Sequence, residues 1–232
     1  MELQINKNTT VKISKWNGKT KKEFLKLLKN NNLNENTIIN TLLLPYIDKR
    51  DYYLNPDEIQ YILINLRKIS YNKPINYNIK CIECSEVINL ENDVLDFCSY
   101  KMGNFPMIYK DSENEIYFNV IPNNFLEVSK QIEKLTNYDI LPNTIEMLLH
   151  ISKFNKKEVN TFEEIYEFYE NLDIETLNDI EDFYNKNKSS LELKLDVKCP
   201  KCNSKHTYYF DSIPKFFDIL MPKQILEEFG SF

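Results

Sequence analysis

The period of the hydrophobic pattern changes several times along the chain. Residues 1–18 alternate weakly, as in Thr10-Val11-Lys12-Ile13-Ser14-Lys15-Trp16, and reach a turn signal at Asn17-Gly18, which predicts an N-terminal strand or extended arm. Trp16, the only tryptophan, reads as a core or interface anchor. From Lys21 to Leu28 the spacing becomes helical, with Thr20 as the expected N-cap and Glu23 completing a capping box. Asn34 then caps a second helical segment running through Leu44, which Pro45 should stop. The third helical signal is the strongest. Asn55 caps it, Pro56 takes the first helical position, Asp57 and Glu58 suit the positive end, and Ile59, Ile62, Leu63, Leu66 and Ile69 form one apolar stripe. Such a stripe predicts a core-facing helix.

Period two follows. Ile75–Ile79 leads to a turn and Glu86–Leu90 returns from it, after which residues 91–106 carry no regular pattern. A hairpin is predicted from Met107–Lys110 and Ile116–Ile121 around the polar turn Asp111–Asn114. Helical spacing resumes with Phe125, Val128, Ile132 and Leu135, then from Pro142 to about Phe154. Thr161 and Asp173 are placed to cap two further helices, through Tyr169 and Tyr184. Glu163, Glu164, Glu167, Glu170, Asp179, Glu181 and Asp182 interleave with aromatics there, the pattern of a solvated helix face rather than a cation site. Leu191–Val197 alternates, Lys205–Asp211 returns, and Pro214–Leu220 and Gln224–Phe229 read as short terminal helices.

Two of the three predicted hairpins turn on the same motif, Cys81-Ile82-Glu83-Cys84 in one and Cys199-Pro200-Lys201-Cys202 in the other. A two-residue gap lets both thiolates of a turn reach one metal, and two such turns supply the four sulfurs that a tetrahedral Zn²⁺ takes. Cys81, Cys84, Cys199 and Cys202 are therefore the predicted ligands of a structural zinc. One Cys-x-x-Cys alone would also suit a thioredoxin-like redox turn, but neither pair opens a helix that would lower a thiol pKa. Cys98 stands apart and reads as a buried apolar residue. His206 lies four residues past Cys202, but four sulfurs already fill the shell. The predicted fold is α+β: a composite zinc ribbon of residues 74–90 and 191–213, an N-terminal arm and helical region (1–73), an inserted hairpin and helical subdomain (91–190) and C-terminal helices (214–232).

Composition narrows the function. The 232 residues include 29 basic and 35 acidic ones, with a net charge of −6 and signs interspersed. Arginine occurs only as Arg50 and Arg67, so bidentate phosphate or base recognition is poorly provisioned. A nucleic-acid-binding zinc ribbon remains the alternative reading, on Lys198, Lys201, Lys205, Tyr208 and Tyr209, against the acidic balance of the whole. No apolar run approaches the roughly 20 residues that cross a bilayer, and the first residues lack the apolar core of a signal peptide. That points to a reducing cytoplasm, where thiolates bind metals rather than pair as disulfides. Three glycines leave no room for Gly-rich phosphate loops. His150 and His206 show no HExxH-type spacing, so neither an enzyme nor a small-molecule substrate is expected. The 14 Phe and 15 Tyr favour a protein that works through protein contacts.

The order of parts carries a resemblance. A helix ending Asn65-Leu66-Arg67-Lys68-Ile69-Ser70 leads into Lys80-Cys81-Ile82-Glu83-Cys84. A hairpin follows, then the acidic Phe162-Glu163-Glu164-Ile165 and Asp182-Phe183-Tyr184 helices, Cys199-Pro200-Lys201-Cys202 and Ile213-Pro214-Lys215-Phe216-Phe217. This resembles the baseplate hub subunit and hub assembly family of T-even-like contractile-tailed bacteriophages, over roughly residues 20–220. The resemblance implies a non-enzymatic role with other baseplate and tail proteins as partners, in the host cytoplasm during assembly and in the virion tail if the protein is retained. It leaves open whether the chain is a hub component or an assembly factor, and its oligomeric state.

Overall fold

The computed structural model describes residues 1–29, 34–48, 52–123, 125–136 and 140–209, so the expected terminal helices beyond Pro214 lie outside the described residues. The chain is α+β. Its first residues form an antiparallel hairpin of β1 (Glu2–Asn6) and β2 (Thr9–Lys12) that turns at Lys7-Asn8. The Asn17-Gly18 pair is not its turn but the start of α1 (Gly18–Lys29). Asn17, rather than Thr20, caps this helix, its side-chain oxygen accepting from the amides of Lys19 and Thr20 at 3.0 and 3.2 Å. Thr20 is buried, with its hydroxyl on that of Tyr46. Trp16 packs on the adjacent core and donates its indole N–H to the Leu42 carbonyl at 2.7 Å.

Asn34 does cap the second segment, accepting from the Thr37 amide at 2.9 Å. Only α2 (Glu35–Ile38) is regular, however. The chain widens into a π turn over Ile39–Leu43, which buries Ile39, Leu42 and Leu43 together, and tightens into a 3₁₀ turn at Leu44–Tyr46 that runs through Pro45. In α3 (Pro56–Ser70) the capping box is complete. Asn55 accepts from the Glu58 amide at 2.9 Å, and the Glu58 carboxylate accepts from the Asn55 amide at 3.2 Å. At its other end the buried Arg67 guanidinium donates to the carbonyls of Tyr71 and Lys73, tying the segment that follows the helix back onto its last turn.

The first cysteine hairpin pairs β3 (Ile75–Lys80) with β4 (Val87–Asn92). Residues 91–106 are more ordered than their sequence suggests. Asp93 caps a 3₁₀ turn over Val94–Phe97, and β5 (Cys98–Lys101) follows. Next come β6 (Met107–Lys110), β7 (Glu115–Phe118), α4 (Phe125–Leu135) and α5 (Pro142–Leu149). The helix from Pro142 stops there, and Ile151–Phe154 is a strand, β8, paired with β7. The switch occurs at His150, whose carbonyl accepts from the Asn119 amide at 2.7 Å while its Nδ1 lies 2.7 Å from the Asn119 carbonyl. β9 (Lys157–Glu158) completes a β6-β7-β8-β9 sheet, and α6 (Phe162–Glu170) and α7 (Ile174–Asn187) follow with Thr161 and Asp173 as caps. The long β10 (Ser190–Lys198) then pairs with both β5 and β11 (Lys205–Tyr209), all antiparallel.

Two apolar cores result. The first collects β1, α3, both cysteine hairpins and the Val94–Phe97 turn, from Leu3 to Cys199; the second uses Phe105 to Tyr184. Between them runs a buried polar seam. Ser189 donates to the Glu58 carboxylate at 2.8 Å and accepts from the Gly103 amide at 3.0 Å. A Cβ at position 103 would lie 2.7 Å from the Ser189 backbone nitrogen, so only glycine permits this approach.

Candidate metal centre

The two cysteine turns share one backbone design. In the first, the Cys81 amide donates to the Glu86 carbonyl at 2.8 Å and the Ser85 amide to the Cys81 carbonyl at 2.9 Å. In the second, Cys199 donates to Ser204 at 2.9 Å and Asn203 to Cys199 at 3.0 Å. The residue after the second cysteine is left-handed in both, with φ of 58° at Ser85 and 60° at Asn203. That conformation is uncommon for residues with a Cβ.

The turns bring all four predicted sulfurs together. Cys81 Sγ lies 3.6 Å from Cys202 Sγ, and Cys84 Sγ lies 3.6 Å from Cys199 Sγ. All four lie within 4.8 Å of one another, and among the described residues they form the one group able to share an ion. Each close pair takes one sulfur from each hairpin. An ion at about 2.3 Å from four tetrahedral sulfurs sets them about 3.8 Å apart, whereas a disulfide needs about 2.05 Å. The spacing fits the first and not the second, and all five cysteines are free thiols.

Electrostatics point the same way. The Ser204 hydroxyl, helped by the backbone amides of Cys84 and Glu83 and by His206, outweighs burial and pulls the Cys81 thiol down to about 5. Ser204 lowers Cys202 likewise. The Glu86 amide pulls Cys84 down, but burial and the sulfurs of Cys202, Cys199 and Cys81 together push it up to about 12. Two sulfurs thus favour ionisation while a third resists a further negative charge at this range. A soft divalent cation would resolve that conflict by compensating every thiolate at once.

The hairpins also grip each other outside the cluster. Lys201 pairs with Glu86 at 3.0 Å, and the Tyr208 hydroxyl donates to the Lys80 carbonyl at 3.1 Å. Two of the five residues that would face a nucleic acid are therefore engaged between hairpins.

The remaining candidates lie elsewhere. Cys98 sits half-buried on β5 opposite Leu193, its thiol pushed up to about 11 by burial. His150 is buried with its ring stacked on Phe105 at 4.6 Å, and burial pulls it down to about 4. His206 is beside the cluster, its Nε2 3.3 Å from Cys81 Sγ. Of the acidic helix residues, Glu163, Glu167, Glu170, Asp179 and Asp182 are exposed, whereas Glu181 accepts from the Thr144 hydroxyl at 2.7 Å. Sequence reasoning overlooked Ser204, whose hydroxyl oxygen lies 2.9 Å from Cys202 Sγ. Its position two residues past Cys202 was the available signal. No helix among the described residues is long and apolar enough to cross a membrane.

No curated protein and no solved structure matches the chain. The model of the T4 bacteriophage base plate protein family matches residues 1–218, including the first 18 that the sequence resemblance had left out; the chain belongs to that family.

Proposed function

We propose that this protein is a structural or assembly component of the baseplate hub of a T4-like phage tail, acting through contacts with other baseplate and tail proteins. Membership of the base plate family over residues 1–218 carries this reading. Within it, Cys81, Cys84, Cys199 and Cys202 hold one structural Zn²⁺ in a composite zinc ribbon of residues 74–90 and 191–213, with 91–190 as the inserted subdomain. Thiolates select soft ions, and four of them leave no open position for a reactive water. The ion's task is then to join segments 121 residues apart in sequence, so that its binding free energy adds to folding. Elemental analysis of the purified full chain should find about one zinc per molecule; iron instead, or no metal, would sink the zinc assignment. Co-purification from infected cells should recover stable complexes with tail proteins. Mass spectrometry of intact virions then separates a retained component from a transient assembly factor, and the absence of any tail protein from the complexes would overturn the hub role.

A further inference from the structure

The two cysteine turns are alike in backbone but not in the side chains behind the sulfurs. Two residues past the second cysteine stands Glu86 in one hairpin and Ser204 in the other; four residues past it stand Ile88 and His206. Glu86 is turned toward Lys201, and Ile88 is a buried core residue. Ser204 and His206 instead face the metal cluster. The Ser204 hydroxyl oxygen lies 2.9 Å from Cys202 Sγ and 3.5 Å from Cys81 Sγ, and His206 Nε2 lies 2.8 Å from that hydroxyl and 3.3 Å from Cys81 Sγ.

We propose that Ser204 and His206 are positioning residues of the metal centre, a hydrogen-bonded fork that orients the Cys81 and Cys202 thiolates. The proposal rests on the zinc reading above. Thiolates around a dication leave excess negative charge on sulfur, which only hydrogen-bond donors can disperse without adding a ligand. Here the imidazole Nε2–H donates to the Ser204 oxygen and toward Cys81, while the Ser204 O–H donates to Cys202. Cys202 is the exposed ligand of the four and the one that water reaches most easily. The fork therefore guards the ligand from which metal loss would begin. Cys84, in the other hairpin, instead meets the backbone amide of Glu86.

The test uses the full chain loaded with Zn²⁺ or with Co²⁺ as a spectroscopic probe. Ser204→Ala and His206→Leu should each lower metal affinity by roughly 10–100-fold in competition with a chelator, the usual effect of removing an outer hydrogen-bond partner. Both should also shift the thiolate-to-cobalt charge-transfer bands and speed alkylation of the exposed Cys202 in the loaded protein. His206→Gln, whose side-chain amide can place an N–H near the position of Nε2, should restore most of the affinity. Thr207→Ala, at a residue beside His206 on β11 whose hydroxyl donates to Asp196 at 2.6 Å rather than to the cluster, should change neither affinity nor bands. Wild-type affinity, spectrum and Cys202 alkylation rate in both Ser204→Ala and His206→Leu would overturn the proposal while leaving the zinc reading intact. A wild-type chain that takes up neither metal would overturn both.

Discussion

The two cores are held together by different means. The second draws on one continuous stretch and closes with aromatic packing, Phe118 lying 5.7 Å from the Tyr184 ring and Phe154 3.9 Å from Phe168. The first is assembled from both ends of the described chain, Leu3 through Cys199, and has the four-sulfur cluster at its edge. Bringing distant segments together costs chain entropy that rises with the intervening length. Packing of neighbouring pieces closes the second core, whereas the proposed metal centre would add a tie between pieces of the first that lie far apart in sequence.

The largest effect should come from breaking the distant tie. Cys199→Ser removes a fully buried proposed ligand and should lower metal affinity more than the roughly 10–100-fold expected of outer partners. Hydrogen exchange should rise across β3–β4 and β10–β11 while β6–β7 and α7 keep their protection. Equal loss in both regions would show that the cores unfold as one unit. The reverse experiment is Phe118→Ala, which empties a fully buried site in the second core and should cost about 3–5 kcal/mol in denaturant unfolding. The variant should still bind one metal per chain with unchanged affinity; a loss of metal would contradict the separation of the two regions.

How legible these regions were in the sequence follows the same division. The four-cysteine cluster could be read directly, because the repeated Cys-x-x-Cys spacing marks the two turns whatever lies between them. The Asn55-Pro56-Asp57-Glu58 start was equally plain, since capping is a contact between near neighbours. β5 escaped notice because its partner is β10, some ninety positions on, so Cys98–Lys101 has no adjacent strand to announce it. The end of α5 was misplaced for another reason. Ile151 keeps helical spacing with Leu148, and only the pairing of β8 with β7 decides the conformation. The π turn at Ile39–Leu43 escaped notice because Ile39, Leu42 and Leu43 keep ordinary helical spacing, which reads as a regular helix whatever width the turn takes. Ser204 and His206 were invisible as a pair until the first hairpin placed Cys81 beside them.

The smallest expected effect lies at the seam between the cores, where Glu58 is almost completely buried. Burial is the main cause that pushes its carboxyl up to about 7; the Ser189 hydroxyl and Asn55 amide oppose it, and Glu146 reinforces it. Because the folded value exceeds the unfolded one near 4.5, the folded state holds a proton that the unfolded state has released. This contribution to stability is complete below about pH 4.5 and is lost as pH rises to about 7. His150 acts in the opposite sense. Its folded value near 4 lies below the ordinary 6.5, so it favours the folded state increasingly as pH rises through that window. The two overlap, and the total pH profile of the protein conceals both. The difference between wild type and Glu58→Gln isolates one of them. Glutamine can keep the capping contact to the Asn55 amide, and its amide group can donate to Ser189, which then donates to the Ile5 carbonyl 3.2 Å away. The advantage of the variant should be negligible near pH 4.5, grow with pH, and level off above about 7 at roughly 1–3 kcal/mol. A difference that stays flat from pH 5 to 8 would mean that Glu58 is already ionised in the folded protein, and that the seam stabilises its charge instead of excluding it.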